Sequence, residues 1–258
     1  MATDIAFALG IMTLTARQAP LGLVVFLTAL AIVDDLGAIV VIALFYSSEI
    51  AFAALFIGLA AIAVAFLFSR LRVRFFLAYL ALGLVAWYAF LQAGVHPTIA
   101  GVLLGLAIPA HEDPDRSMLH AWEHRLEPWS AYGIMPIFAL GNAGVTLSLS
   151  TFDPWSPLFL GILAGLCLGK PLGIFGTVWC FSRLFKVPVP GNASTGQAAA
   201  TGMLGGIGFT MSIFIASLAF ADSGAMLDLA KISILSASIL SGILGALVFK
   251  LQSLRASS

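Results

Sequence analysis

Apolar residues in this chain come in continuous runs rather than in alternation, and the runs are cut by Pro, Gly and clusters of charge. Those cuts leave a partial segment at residues 3–16 and longer ones at 20–46, 50–69, 75–94, 97–110, 129–150, 157–182, 197–221 and 229–249. A helix needs about 20 apolar residues to cross about 30 Å of hydrocarbon, whereas the strands of a membrane barrel alternate lipid-facing and lumen-facing side chains. The pattern predicts an all-α, polytopic helical membrane protein with about nine membrane segments. Segment 97–110 is short for a crossing, so it is expected to be tilted, extended at its ends or sheltered by neighbours.

Composition excludes the soluble alternative. Of 258 residues, 61% are apolar and 9% charged, against about 25% charged in a soluble domain, too few to cover a globule with water-facing groups. The 12 basic and 12 acidic side chains cancel, and no basic stripe points to nucleic acid; the surrounding partner is membrane lipid. Cys167 and Cys180 fall in one apolar segment, too far apart along a helix to bridge, and read as buried thiols without a disulfide or metal framework. There is no phosphate-binding loop, dinucleotide fingerprint or nucleophile constellation, so neither an enzyme, an ATP-driven pump nor a bound cofactor is expected.

Loop charge gives the orientation, because Lys and Arg accumulate on the cytoplasmic side. One side collects Arg17, Arg70, Arg72, Arg74, Arg116, Arg125, Arg183, Lys186, Lys250 and Arg255, and the other only Lys231. The C-terminus is therefore expected in the cytoplasm. The same alternation starts the chain outside or within the bilayer with no signal-like region before it. Segment 3–16 then reads as the second half of a helix whose preceding sequence is missing, or as a re-entrant segment sheltered by protein.

The informative residues are ionisable groups far from any loop. Asp34 and Asp35 lie near the centre of 20–46, Lys170 near the centre of 157–182, and Asp4 in the partial first segment. Each costs about 2.5–3.5 kcal/mol at a bilayer midplane, so the four oppose insertion by on the order of 10 kcal/mol and must face protein or water. Intramembrane carboxylates of this kind mark ion or proton pathways; the alternative is a structural ion pair tying two helices together. Adjacent helical positions point about 100° apart, which divides the roles: one aspartate pairs with Lys170 and the other stays free for a proton or a small, oxygen-preferring cation.

Segment 197–221 carries Gly205-Gly206-Ile207-Gly208-Phe209-Thr210 near its centre, where glycines weaken the helix and permit an unwound stretch. Thr3-Asp4 is its counterpart in the partial segment. Interrupted helices present opposed dipole ends at mid-membrane, and Asp4 and Lys170 have the signs to offset a positive and a negative end. The alternative for these glycines is tight helix packing. Gly161, Gly165, Gly169 and Gly173, spaced by four, fit that packing reading, lining a face that another backbone approaches closely. His120-Ala121-Trp122-Glu123-His124 matches a zinc peptidase pattern, and after the helix start at Asp113-Pro114 it places His120, Glu123, His124 and Glu127 on one face. No third zinc ligand is identifiable, so a solvated, pH-responsive cytoplasmic cluster is the better reading. Asn192-Ala193-Ser194 is a chance glycosylation match on the inner side, and His96, before Pro97, reads as a hydrogen-bonded structural residue.

Four segments carry a resemblance: Thr3-Asp4-Ile5-Ala6-Phe7-Ala8-Leu9-Gly10, Ala31-Ile32-Val33-Asp34-Asp35-Leu36-Gly37-Ala38, Gly169-Lys170-Pro171-Leu172-Gly173 and Gly205-Gly206-Ile207-Gly208-Phe209-Thr210-Met211-Ser212-Ile213-Phe214. In this order, over the whole chain, they resemble the signature segments of NhaA-type bacterial sodium/proton antiporters. Inverted repeats with broken helices are a known feature of that family, so the interrupted-helix reading is not independent of the resemblance. The resemblance implies an inverted-repeat antiporter core with interrupted helices crossing at mid-membrane, in the bacterial inner membrane. It implies electrogenic exchange of cytoplasmic Na+ or Li+ for external H+, serving pH and sodium homeostasis. Asp35 is then the principal cation and proton carboxylate and Asp34 the second, paired with Lys170 in one state. Thr3 and Asp4 match the unwound crossing beside the interrupted helix at Gly205, Gly206 and Gly208. Glu123 and His124 match the cytoplasmic pH-responsive region, while Glu127 departs from a family histidine.

The family carries further crossings before the first of these segments, including the other half of the broken helix and a segment tied to dimer formation; a homodimer is the implied assembly. The expected organisation is residues 1–46 and 157–258 as transport core and 47–156 as supporting panel, with a cytoplasmic linker at 111–128. Two other classes compete: a truncated, transport-inactive membrane fragment, and a sodium-coupled symporter, for whose organic solute no cluster of residues stands out.

Overall fold

The computed structural model describes residues 3–15, 19–45, 51–110, 117–142, 144 and 153–256, and these are largely helical with no strand among them. Arg17, Arg116 and the expected helix start at Asp113-Pro114 lie outside the described residues. The chain forms two compact units, one of Met1–Ala38 with Gly141–Ser258 and one of Ile39–Leu140.

In the first unit, α1 (Ile5–Thr15) and most of α2 (Leu21–Phe45) are followed after the second unit by α8 (Pro157–Ala164) and α9 (Lys170–Leu184), then α10 (Thr195–Leu204), α11 (Phe209–Ala219) and α12 (Gly224–Ala256). The spans Leu21–Ala43, Pro157–Leu184 and Gly224–Gln252 are each long and apolar enough to cross a membrane, as is the bent pair α10–α11. Ala8 and Met12 of α1, Leu23 and Leu27 of α2, Ala200 and Leu204 of α10 and Phe249 of α12 share one buried cluster. Ile162, Leu166, Ile213, Ala216, Ala230, Ile234 and Ala237 form another, joining α8, α11 and α12. Local chemistry sets the helix starts. Ser156 caps α8, and Ser194 caps α10 in a reciprocal box with Gln197, each occupying backbone donors left over at a helix start.

Close backbone approach occurs on α10 and at the residues just after it, not on the ladder expected to provide it. A Cβ at Gly202 would lie 3.2 Å from the Pro171 carbonyl, and one at Gly206 would overlap the Leu166 carbonyl. Gly161, Gly165 and Gly173 have nothing within Cβ reach among the described residues, and Gly169 meets only the carbonyl of Ala164 in its own chain segment. Spacing by four shows that small residues share a face, not that another backbone meets that face. Gly191, at a φ of 69°, lies against Gly22 at the start of α2, a backbone conformation and a closeness that favour glycine at both positions.

Between α8 and α9, Gly165–Gly169 form a π-turn in which the Lys170 N–H bonds the carbonyl of Gly165, five residues back. Pro171 follows; it has no N–H, and its ring crowds the carbonyl four residues earlier, so the helix widens. Lys231, read as a loop cation, is instead buried on α12 and donates to the Gly144 carbonyl at 3.2 Å. Cys167 and Cys180 are free, as thiols, but half-buried rather than buried.

The second unit comprises α3 (Phe52–Arg70), α4 (Phe76–Gln92), α5 (Thr98–Ala107), α6 (Met118–Trp129) and most of α7 (Met135–Asn142). Ala61 and Ile62 of α3, Ala86 and Phe90 of α4 and Ala100 of α5 form its core. The ten-residue α5, about 15 Å long at 1.5 Å per residue, is sheltered by α3 and α4. Ser117 caps α6 through the His120 N–H, so helix already occupies residues expected as linker up to 128. It runs on through a second π-turn, Ser130–Ile134, into α7. Here too the N–H that bonds five residues back, that of Met135 to Ser130, immediately precedes a proline, Pro136.

Candidate ion site at the crossed, interrupted helices

The site lies within the first unit, where the start of α1 meets the break between α10 and α11. That break, Gly205–Gly208, bends the pair by 43°. The Asp4 N–H donates to the Ile207 carbonyl at 2.6 Å, so the entry to α1 is pinned to the unwound segment. Asp4 is 2% exposed. Its Oδ1 accepts from the Phe7 N–H of α1 at 3.3 Å, and its Oδ2 from the Thr210 N–H and hydroxyl of α11 at 3.2 and 2.7 Å. One carboxylate thus caps two helix N-termini, and two ends of about +0.5 charge each match one negative charge.

Thr3, 1% exposed, joins the break to the charged pair. Its Oγ1 accepts from Lys170 Nζ at 2.6 Å, and its single hydroxyl proton faces Asp34 Oδ2 at 2.7 Å and the Gly205 carbonyl at 2.9 Å. Lys170 Nζ also contacts Asp34 Oδ2 at 2.7 Å. The ammonium does not bond the carbonyls at the C-terminal end of α10 directly: Thr3 stands between, satisfying Gly205. Asp35 points elsewhere, and among the described residues its Oδ1 is buried without a hydrogen-bond partner. A buried acceptor left in that state is costly and is a position where a proton or a cation would be stabilised.

A cavity of about 620 Å³ reaches Asp34 and Lys170. Phe26 and Leu30 of α2, Gly173, Thr177 and Phe181 of α9, and Pro188 and Pro190 of the following loop line it. Ser182 and Val187, the sequence neighbours of Arg183 and Lys186, line it as well.

Glu123 and His124 are on α6, in the second unit. His120 Nδ1 lies 3.5 Å from Glu123 Oε2, and the His120 and His124 rings meet edge to face. Among the described residues no group of three or more His, Cys, Asp or Glu side chains is placed to hold a metal ion. His96 Nδ1 pairs with Thr98 Oγ1 at 2.9 Å at the start of α5, and burial pushes its imidazole below the ordinary value. Sequence reasoning missed the double capping by Asp4 and the π-turn before Lys170, although Pro171 was the visible signal for the second.

Comparison with known proteins places this chain in a family. The family described as Na+/H+ antiporter 1 matches residues 1–249. Na(+)/H(+) antiporter NhaA 2 of Clostridium beijerinckii is 48% identical over 255 residues, covering 97% of this chain and 63% of the relative. The NhaA antiporter of Mannheimia succiniciproducens is 47% identical over 254 residues, covering 97% and 66%. That of Paramagnetospirillum magneticum is 48% identical over 248 residues, covering 96% and 64%. The chain spans about two thirds of the length of these curated relatives. By the extent of both kinds of match, this helical membrane chain belongs to the Na+/H+ antiporter 1 family.

Proposed function

We propose that the chain carries the ion-exchanging core of a secondary antiporter of the bacterial inner membrane, moving cytoplasmic Na+ or Li+ outward against inward H+. The observation that carries this reading is the unequal state of the paired aspartates. Asp34 is engaged by Lys170 and Thr3, while Asp35 keeps a buried, unpartnered oxygen. A hard cation that prefers oxygen ligands binds Asp35 first, draws on Asp34 as second carboxylate, and releases the Lys170 ammonium from Asp34 as it does so. A proton on Asp35 removes the charge that holds the cation, so the two ions compete for one place and cannot both be carried outward. The cavity beside Asp34 and Lys170 supplies access. Arg183 and Lys186, next in sequence to residues that line the cavity, support a cytoplasmic opening for it, with the C-terminus on the same side.

Alternating access then follows from movement at the α10–α11 break, where Asp4 and Thr3 hold the crossing together. Exchange that moves net charge is driven by the membrane potential as well as the proton gradient. Glu123 and His124, exposed on α6, are the residues to which the resemblance assigns the response to pH. A homodimer in lipid is the assembly that the resemblance implies.

The test is sodium-induced proton movement in everted vesicles from cells lacking their own antiporters, with insertion of each variant confirmed. This chain should respond to Na+ and Li+, and Asp35→Asn should not. A response that needs an organic solute would replace antiport by symport. Silence of the inserted parent chain would leave the reading of a transport-inactive fragment.

A further inference from the structure

We propose that the π-turn at Gly165–Gly169 sets the position of the Lys170 amine, and that Pro171 and Gly206 are positioning residues acting through it. The proposal rests on the exchange reading only for its consequence in transport, because the geometry itself is measurable without any ion moving.

Before the turn the helix keeps its ordinary register, with the Gly165 N–H bonded to the carbonyl of Gly161, four residues back. At Lys170 the bond reaches five residues back, to Gly165. One residue is therefore accommodated that an α-helix would not hold, and each residue turns the helix by about 100°. With the turn closed to α geometry, Lys170 would rotate by about that angle relative to α8, off the side that faces Thr3 and Asp34. In the widened register its Nζ lies 2.6 Å from Thr3 Oγ1 and 2.7 Å from Asp34 Oδ2.

Two features hold the register open. The first is Pro171. The Leu166 carbonyl has lost its α-helical donor, since Lys170 N–H goes to Gly165, and its π-helical donor would be residue 171, which as proline has none. The same order, a five-back bond ending immediately before a proline, occurs at Met135 and Pro136, which points to the proline as the cause. The second is the broken helix. Leu166 is fully buried, and its carbonyl faces Gly206 so closely that a Cβ there would overlap it, while Ser241 Oγ would be 2.6 Å from that Cβ on another side. Ser241 in turn donates to Cys167 Sγ at 3.4 Å, and Gly202 lies one turn away over the Pro171 backbone. The α10–α11 break therefore sits directly on the turn that aims Lys170. Movement at the break is transmitted to the Lys170–Asp34 contact through backbone, without passing through a charged group.

The experiment uses the full chain in lipid, labelled with amine-15N lysine and side-chain-carboxyl-13C aspartate, and reads dephasing of the lysine amine by the aspartate carboxyl in solid-state NMR. The parent should show a strongly dephased amine that Asp34→Asn removes, assigning it to Lys170. Gly206→Ala should lose that dephasing, and adding Ser241→Ala should not restore it, because the overlap is with the Leu166 backbone. Pro171→Ala, which returns an N–H and adds no bulk, should also lose it while the protein elutes as the parent does; this variant decides the matter if Gly206→Ala fails to fold. Dephasing at the parental level in folded Pro171→Ala or Gly206→Ala would overturn the proposal. So would its recovery in Gly206→Ala on adding Ser241→Ala, which would reduce Gly206 to a packing contact. Loss of dephasing in these variants, together with a parent chain that shows no sodium-induced proton movement, would sustain the positioning role and reject the exchange reading.

Discussion

Asp4→Ala tests how the crossed helices are held. The carboxylate is 2% exposed and accepts from the Phe7 N–H, the Thr210 N–H and the Thr210 hydroxyl. Truncation removes two N-caps worth about 1 kcal/mol each and leaves buried donors unpaired at a further cost of about 1–3 kcal/mol. The expected loss is thus about 3–5 kcal/mol. Asp4→Asn keeps one acceptor oxygen, which the Thr210 donors can retain, but turns an NH2 toward the Phe7 N–H and gives up the charge opposite two dipole ends, a loss of about 1–2 kcal/mol. At about 2–4 °C per kcal/mol for a chain of this size, thermal unfolding in detergent should fall by roughly 6–20 °C for Ala and about 2–8 °C for Asn. Equal shifts for the two variants, or an Ala variant that unfolds with the parent, would refute the assignment of Asp4 as a shared cap. Loss of transport alone would not establish it, since the site lies one residue away.

Lys170→Met should destabilise the chain by roughly 1–3 kcal/mol, below the figure for a fully buried pair because both partners keep some exposure; adding Asp34→Asn should recover most of that in the same unfolding assay. Gly22→Ala would place a Cβ 2.5 Å from the Gly191 Cα, where only backbone can give way, and should cost about 1–3 kcal/mol by denaturation. Burial holds the His96 imidazole below its ordinary value, so the fold favours the neutral ring. Its contribution is complete above about pH 6.5 and is lost as the pH falls through the lower folded value. Unfolding temperature should therefore decline on acidification through that window, and His96→Gln should flatten the decline.

The crossings were legible in the sequence because lipid leaves little choice: continuous apolar runs become helices, and α2, α3, the α8–α9 span and α12 fall where the runs do. That Asp34, Asp35 and Lys170 cannot face lipid followed from the cost of each charge. Which aspartate Lys170 contacts came from the resemblance, which pairs it with Asp34, and not from the residues themselves, since adjacent positions differ only in azimuth, and the azimuth of Lys170 is set by a π-turn that periodicity at 3.6 residues does not register. The α10–α11 break was signalled by Gly205, Gly206 and Gly208. The close packing was assigned to Gly161, Gly165, Gly169 and Gly173, which made the more regular pattern, whereas Gly202 and Gly206 supply it. Thr3 was placed beside the break on its neighbour Asp4 and on resemblance. The sharing of its one proton between Asp34 and Gly205 depends on a fold that brings residues some two hundred positions apart together, and no local pattern encodes it. Helix α6 extends into the expected linker because Ser117 caps it, and a lone serine beside a charged stretch is a weak signal.

The central claim is that a proton and a sodium ion compete for Asp35, and it can be read without any translocation. The purified chain in weakly buffered detergent at a pH where the site is partly protonated, titrated with NaCl against choline chloride, should release protons saturably. Asp35→Asn should release none. Proton release of the same size from folded Asp35→Asn, or none from the folded parent at any pH at which it is stable, would contradict the account.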